Sequence, residues 1–162
     1  MKSDFIDLIE RLIKAKVDFV IIGGFAGVVH GCTYVTQDVD ICCDFTPENL
    51  LRLQKAISDF HPVHRMTPKR QKLHLTKKNC ETLKNLYLDT DIGQLDCVSF
   101  VDGVGDYQQA KSASGLVKVE TLQLPVLGLD ALIKAKKAMN RPRDKLAVTQ
   151  LEAVKKLKKQ KM

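Results

Sequence analysis

The chain has 162 residues, enough for one domain with a real core and too few for two. Its 44% hydrophobic and 28% charged residues exclude a disordered polymer, and no apolar run is long enough to span a bilayer, so a cytoplasmic protein without a membrane partner is expected. The formal charge of +7 suits a polyanionic partner, but much of the excess sits in the tail Lys155-Lys156-Leu157-Lys158-Lys159, where lysines at a helix end answer the helix dipole. The five cysteines (Cys32, Cys42, Cys43, Cys80 and Cys97) lie in or beside apolar runs without C-x-x-C spacing, which predicts reduced, buried thiols.

In chain order, Ser3 can cap a helix whose stripe is Phe5, Leu8, Ile9, Leu12 and Ile13. Residues 17–22 form a continuous β-branched and aromatic run, hence a buried strand, which stops at Gly23-Gly24. A short helix through Phe25, Ala26, Val28 and Val29 ends at Gly31, and residues 35–43 read as a second, alternating strand. Thr46-Pro47-Glu48 starts a helix with a capping threonine and proline at its first position, its apolar face being Leu50, Leu53, Ile57 and Phe60. Residues 72–76 alternate weakly, 83–89 suggest a strand, and 94–101 suggest a better one, followed by the turn-rich 102–106. Residues 117–124 look extended. A helix over 129–139 carries Leu129, Leu132, Ile133 and Lys136 along one side, and Pro142 opens a last helix through Leu146, Leu151, Val154 and Leu157. The expected fold is α+β: a small mixed β-sheet with helices packed on it and a helical C-terminus, forming one domain over 1–162.

The chemistry concentrates in residues 23–41. On a strand, Asp38 and Asp40 project from one face while Val39 and Ile41 point to the core. Two carboxylates so close repel one another, and a magnesium ion with its oxygen-only ligands relieves that repulsion; manganese is the other candidate. An isolated D-x-D is more often a solvated strand end. The preceding Gly23-Gly24 changes the balance, because a buried strand that stops at two glycines and enters a helix lets the backbone approach a phosphate. A third carboxylate would complete a two-metal site, and Asp96, set among Leu95, Cys97 and Val98, is the best candidate. Asp89 and Asp91 are alternatives nearer a turn.

The segment resembles the DNA polymerase β-like nucleotidyltransferase superfamily, whose pattern is an apolar strand, Gly-Gly or Gly-Ser, a spacer and Asp-x-Asp. Gly-Gly-Phe-Ala, His30-Gly31, Thr36 and Asp38-Val39-Asp40-Ile41 look like small bacterial members related to abortive-infection toxin components, as do Thr46-Pro47-Glu48-Asn49-Leu50, Leu95-Asp96 and Arg141-Pro142-Arg143-Asp144. The resemblance implies transfer of an NMP from an NTP such as ATP to an acceptor hydroxyl on RNA, protein or a small molecule. It implies metal ligation by Asp38, Asp40 and Asp96, and nucleotide contacts from Gly23, Gly24 and Thr36. A toxin–antitoxin role with a protein partner is a further implication. Tyr34 departs from it, standing where that group has arginine, which makes a catalytically degenerate binding partner the alternative.

Other residues carry weaker signals. Lys134 and Lys137 share a helix face and are candidate triphosphate contacts, Lys137 preferred; each is also explained as a solvated lysine. Asp144 near a helix start reads as structural. His30 reads as a capping partner, and His61-x-x-His64 lacks the further ligands zinc needs. Gly24 and Gly27 match the last two glycines of a dinucleotide-binding loop, but Ile22 fills the first position.

Overall fold

The computed structural model describes residues 4–33, 36 and 38–160. Ser3 and Val35, which figure in the expected first helix and second strand, lie outside them. The chain opens with α1 (Asp4–Lys14), whose Leu8, Ile9 and Leu12 are fully buried, as the stripe predicts. β1 (Phe19–Ile22) runs directly into α2 (Gly23–Val29). β2 (Asp38–Cys43) and α3 (Pro47–Ile57) follow, with the Thr46 hydroxyl accepting from the Asn49 amide at 3.4 Å. Then come β3 (Val63–His64), α4 (Lys77–Cys80), β4 (Asn85–Thr90), β5 (Gly93–Val98), β6 (Phe100–Val101), β7 (Gly105–Asp106) and α5 (Tyr107–Ser112). β8 (Ser114–Val119), β9 (Leu122–Leu127), α6 (Leu129–Met139) and α7 (Pro142–Gln160) complete the described chain.

The main sheet has the strand order β3-β4-β5-β2-β1-β9-β8. It is mixed: β2 pairs with β5 and β1 with β9 in parallel, while the remaining neighbours are antiparallel. Helices cover it. α1 packs on α3, α2 on β2 and α6, and α7 on α6, an α+β architecture with a helical C-terminus. One contiguous core joins them, and all five cysteines are buried within it. Among the described residues no helix is long and apolar enough to cross a membrane.

Three local readings change. Residues 94–101 form two strands rather than one, because the Ser99 amide turns to the Lys84 carbonyl and β6 then pairs with β7 outside the main sheet. Residues 117–124 are the two arms of a hairpin, folded where Glu120 takes a positive φ of 56°. The weak alternation at 72–76 supplies only a single bridge, Val63 to Lys72, before the Thr76-capped α4.

Candidate functional site

β1 and β2 are antiparallel neighbours and β5 lies parallel on the other side of β2, so the three strand ends meet at one edge. The register sets Asp40 opposite Ile22 on one side and opposite Asp96 on the other. Alternation along β2 keeps Val39 and Ile41 fully buried and turns Asp38 and Asp40 the other way. As a result one ligand oxygen from each of Asp38, Asp40 and Asp96 lies within 4.8 Å of the other two.

The electrostatics of that cluster are those of a site short of positive charge. Burial, then the neighbouring Asp38 and Asp96 carboxylates, push the Asp40 carboxyl up to about 7. Burial and the Asp96 charge also raise Asp38, against a partial offset from Arg65. Like charges drawn together out of water hold protons unless a cation replaces them. Three convergent carboxylates and no soft ligand suit a hard, oxygen-seeking divalent ion, so the donor set fits magnesium or manganese.

Gly23 explains how the cluster is reached. It adopts φ +70°, and a Cβ there would stand 2.4 Å from Asp40 Oδ2. Only glycine leaves the carboxylate in its position and the strand-to-helix turn open. Gly24 follows as the second residue of α2 and is half-buried. Thr36 is half-buried just ahead of β2, with no described contact to the cluster, and Tyr34 lies outside the described residues.

The carboxylates sit in a cleft of about 490 Å³. Lys136, Arg141 and Arg143 form its cationic wall. Asp144, only 1% exposed, organises that wall: its carboxylate accepts from Arg141 Nε at 2.6 Å and the Arg141 amide at 3.1 Å, with Lys136 Nζ at 3.6 Å. The Arg141 hydrogen bond holds the Asp144 carboxyl below the usual range. Asp144 is thus structural, and its structure serves the cleft. The rest of the lining includes Asn85, Tyr87, Val98, Phe100 and Asp102.

Lys137 is not brought to this cleft. Its ammonium points away and pairs with Glu152 at 3.4 Å, while Lys136, one residue earlier, faces the carboxylates. Lys134 lines a separate groove with Lys155, Lys158 and Lys159. Lys136 was legible as a lysine within the apolar stripe of α6, Arg141 only as part of the Arg141-Pro142-Arg143-Asp144 block of the resemblance, and Arg65 not at all. His30 Nε2 donates to the Leu127 carbonyl at 2.8 Å, tying α2 to the end of β9, and His61 pairs with Asp91.

No protein-family model and no curated protein sequence matches the chain. Solved structures do. The lincosamide antibiotic adenylyltransferase LnuA, with lincomycin bound, superposes with a TM-score of 0.65 over 95% of this chain and 98% of its own, at 14% identity. The chain has the nucleotidyltransferase fold. ANT(2″)-Ia in complex with adenylyl-2″-tobramycin is also similar, with a TM-score of 0.57, 12% identity, and coverage of 94% of this chain and 91% of that one. At such identities the likeness concerns the fold alone.

Proposed function

We propose that the chain is a divalent-metal-dependent nucleotidyltransferase, moving an NMP from an NTP to an acceptor hydroxyl. The observation that carries this reading is the convergence, in one cleft, of the Asp38–Asp40–Asp96 cluster, the open Gly23 turn and a cationic wall. Asp38, Asp40 and Asp96 would hold the ion. When bound, magnesium neutralises polyphosphate charge and acidifies a hydroxyl or water that it contacts.

The chain's own groups supply the rest. Gly23 leaves room for a phosphate beside Asp40, and Lys136 and Arg141 offer it positive charge, Arg141 with its orientation fixed by Asp144. The acceptor oxygen forms a bond to the α-phosphorus, the bond to the β-phosphate oxygen breaks, and pyrophosphate and the hydroxyl proton are released. Besides these cations, the lining includes Tyr87, Val98, Phe100 and Asp102, an aromatic, apolar and acidic set. That favours a small acceptor with an apolar face over a nucleic-acid backbone, which seeks Lys and Arg. Lincomycin and tobramycin, handled by the two similar proteins, are reasonable first probes.

A second reading, a catalytically degenerate nucleotide- or protein-binding module such as one half of a toxin–antitoxin pair, draws support from Arg65, which occupies Asp96. One experiment separates them. Thermal midpoints are measured with each NTP, with and without magnesium, for wild type and Asp38→Asn/Asp40→Asn, and pyrophosphate release is followed with lincomycin, tobramycin or total RNA as acceptor. A magnesium-dependent rise lost in the double variant, with pyrophosphate release, supports the enzyme. A rise without release under any acceptor favours the degenerate reading, and no rise with millimolar NTP refutes the nucleotide site.

A further inference from the structure

Arg65 closes one corner of the carboxylate cluster from a distant part of the chain. It follows β3, and its amide donates to the Tyr87 carbonyl at 2.9 Å, which extends the pairing with β4 and aims the side chain along the sheet. The guanidinium meets Asp96 as a fork, Nη1 to Oδ1 at 2.5 Å and Nη2 to Oδ2 at 3.0 Å, and its carbon stands 5.9 Å from the Tyr87 ring centroid. The side chains of Arg65 and Asp96 are only 20% and 12% exposed. A two-pronged, charge-assisted pair so withdrawn from water is well removed from the weak exposed ion pairs of a protein surface.

Among the described residues, Asp96 is the one member of the three-carboxylate cluster with an ion pair. Both of its oxygens serve Arg65, and one of them is also its ligand atom toward Asp38 and Asp40. An ion held by that oxygen would stand beside the guanidinium, two like charges on one carboxylate in a half-closed cleft. Each therefore weakens the other's hold. Without an ion, the guanidinium supplies Asp96 with its countercharge.

We propose that Arg65 is a positioning residue that occupies Asp96 when no metal is present and yields it when metal binds, so that guanidinium and ion compete for this carboxylate. The proposal rests on reading Asp38, Asp40 and Asp96 as the metal site. Arg65 then sets the metal concentration at which the cleft becomes competent, without touching the reacting atoms.

Manganese alone, with no nucleotide, is titrated against the full chain by calorimetry and by electron paramagnetic resonance. Arg65→Gln should bind it about tenfold more tightly than wild type, and Arg65→Lys, which keeps the charge and loses the fork, should fall between them. A second measurement needs no variant at Arg65. Phenylglyoxal modification of Arg65, mapped by mass spectrometry in the wild-type chain, should rise severalfold on saturation with manganese, and Asp96→Asn should show the raised reactivity without metal. Unchanged or weaker manganese binding by Arg65→Gln at a retained unfolding midpoint would overturn the proposal. So would unchanged Arg65 reactivity on saturation, which decides the matter if Arg65→Gln does not fold. If Asp38→Asn/Asp40→Asn binds manganese as well as wild type does, the metal-site reading itself fails and takes this proposal with it.

Discussion

The metal-free cluster should make the protein less stable as pH rises toward neutrality, and Asp40 should carry much of the effect. Its carboxyl moves from 3.8 to about 7 on folding, so the folded state holds this proton more tightly than the unfolded chain. Unfolding then releases a proton between about pH 4 and pH 7, and stability falls as pH climbs through that window. Fully charged, the group costs the folded state about 4 kcal/mol; at pH 5 about 1.5 kcal/mol of that is expressed and at pH 8 nearly all of it, a difference of about 2.5 kcal/mol. Asp40→Asn removes the titration while preserving size. In urea unfolding with EDTA present, wild type should lose about 2.5 kcal/mol more than the variant between pH 5 and pH 8. Saturating magnesium should flatten the wild-type slope, since an ion replaces the proton. Parallel pH slopes for wild type and Asp40→Asn would refute the reasoning, because the repulsion invoked would then not act on Asp40.

Gly23→Ala adds a Cβ that would lie 2.4 Å from Asp40 Oδ2 at φ +70°; it should cost about 1–2 kcal/mol in thermal or urea unfolding and abolish the magnesium-dependent NTP shift. Asp144→Asn leaves Arg141 and Lys136 without their buried partner, so a loss of about 3 kcal/mol is expected at pH 7 by urea unfolding. Because the Asp144 carboxyl is held low, its stabilisation is present at neutral pH, and the gap to the variant should close as pH falls below about 4. Lys136→Ala should weaken NTP binding about tenfold in a calorimetric titration with magnesium, as loss of one desolvated charge contact does, while Lys137→Ala should change it less than about twofold.

Much of the fold was legible where the information is local. α3 begins at the Thr46-Pro47 signal, and α6 spans the residues that its apolar periodicity marks. The β8–β9 hairpin was not separable from a single extended run, because its turn uses Glu120 at positive φ where glycine or asparagine would ordinarily give the turn away. α5 was hidden for a different reason. It is six residues long, and its Asp106–Gln109 capping box follows two glycines that mark the segment as a turn.

The site divides along the same line. Asp38 and Asp40 are readable because a strand's period of two is written in adjacent residues, and Asp96 because an acid among Leu95, Cys97 and Val98 needs a reason to be there. What joins them is the parallel pairing of β2 with β5, which no local pattern encodes. Lys136 against Lys137 shows how finely position matters: one residue turns a helix by about 100°, enough to exchange the cleft for solvent. The overlooked clue was that a lysine on an apolar stripe, like an acid in an apolar strand, calls for a buried partner, here Asp144 at 3.6 Å. Arg65 offered no such clue, because β3 is two residues long and has no periodicity to violate. Its role follows only from the sheet order, in which β3, β4 and β5 lie side by side and bring a guanidinium to Asp96. Charges set on buried faces announce themselves in sequence, whereas the partners that make them tolerable are chosen by topology.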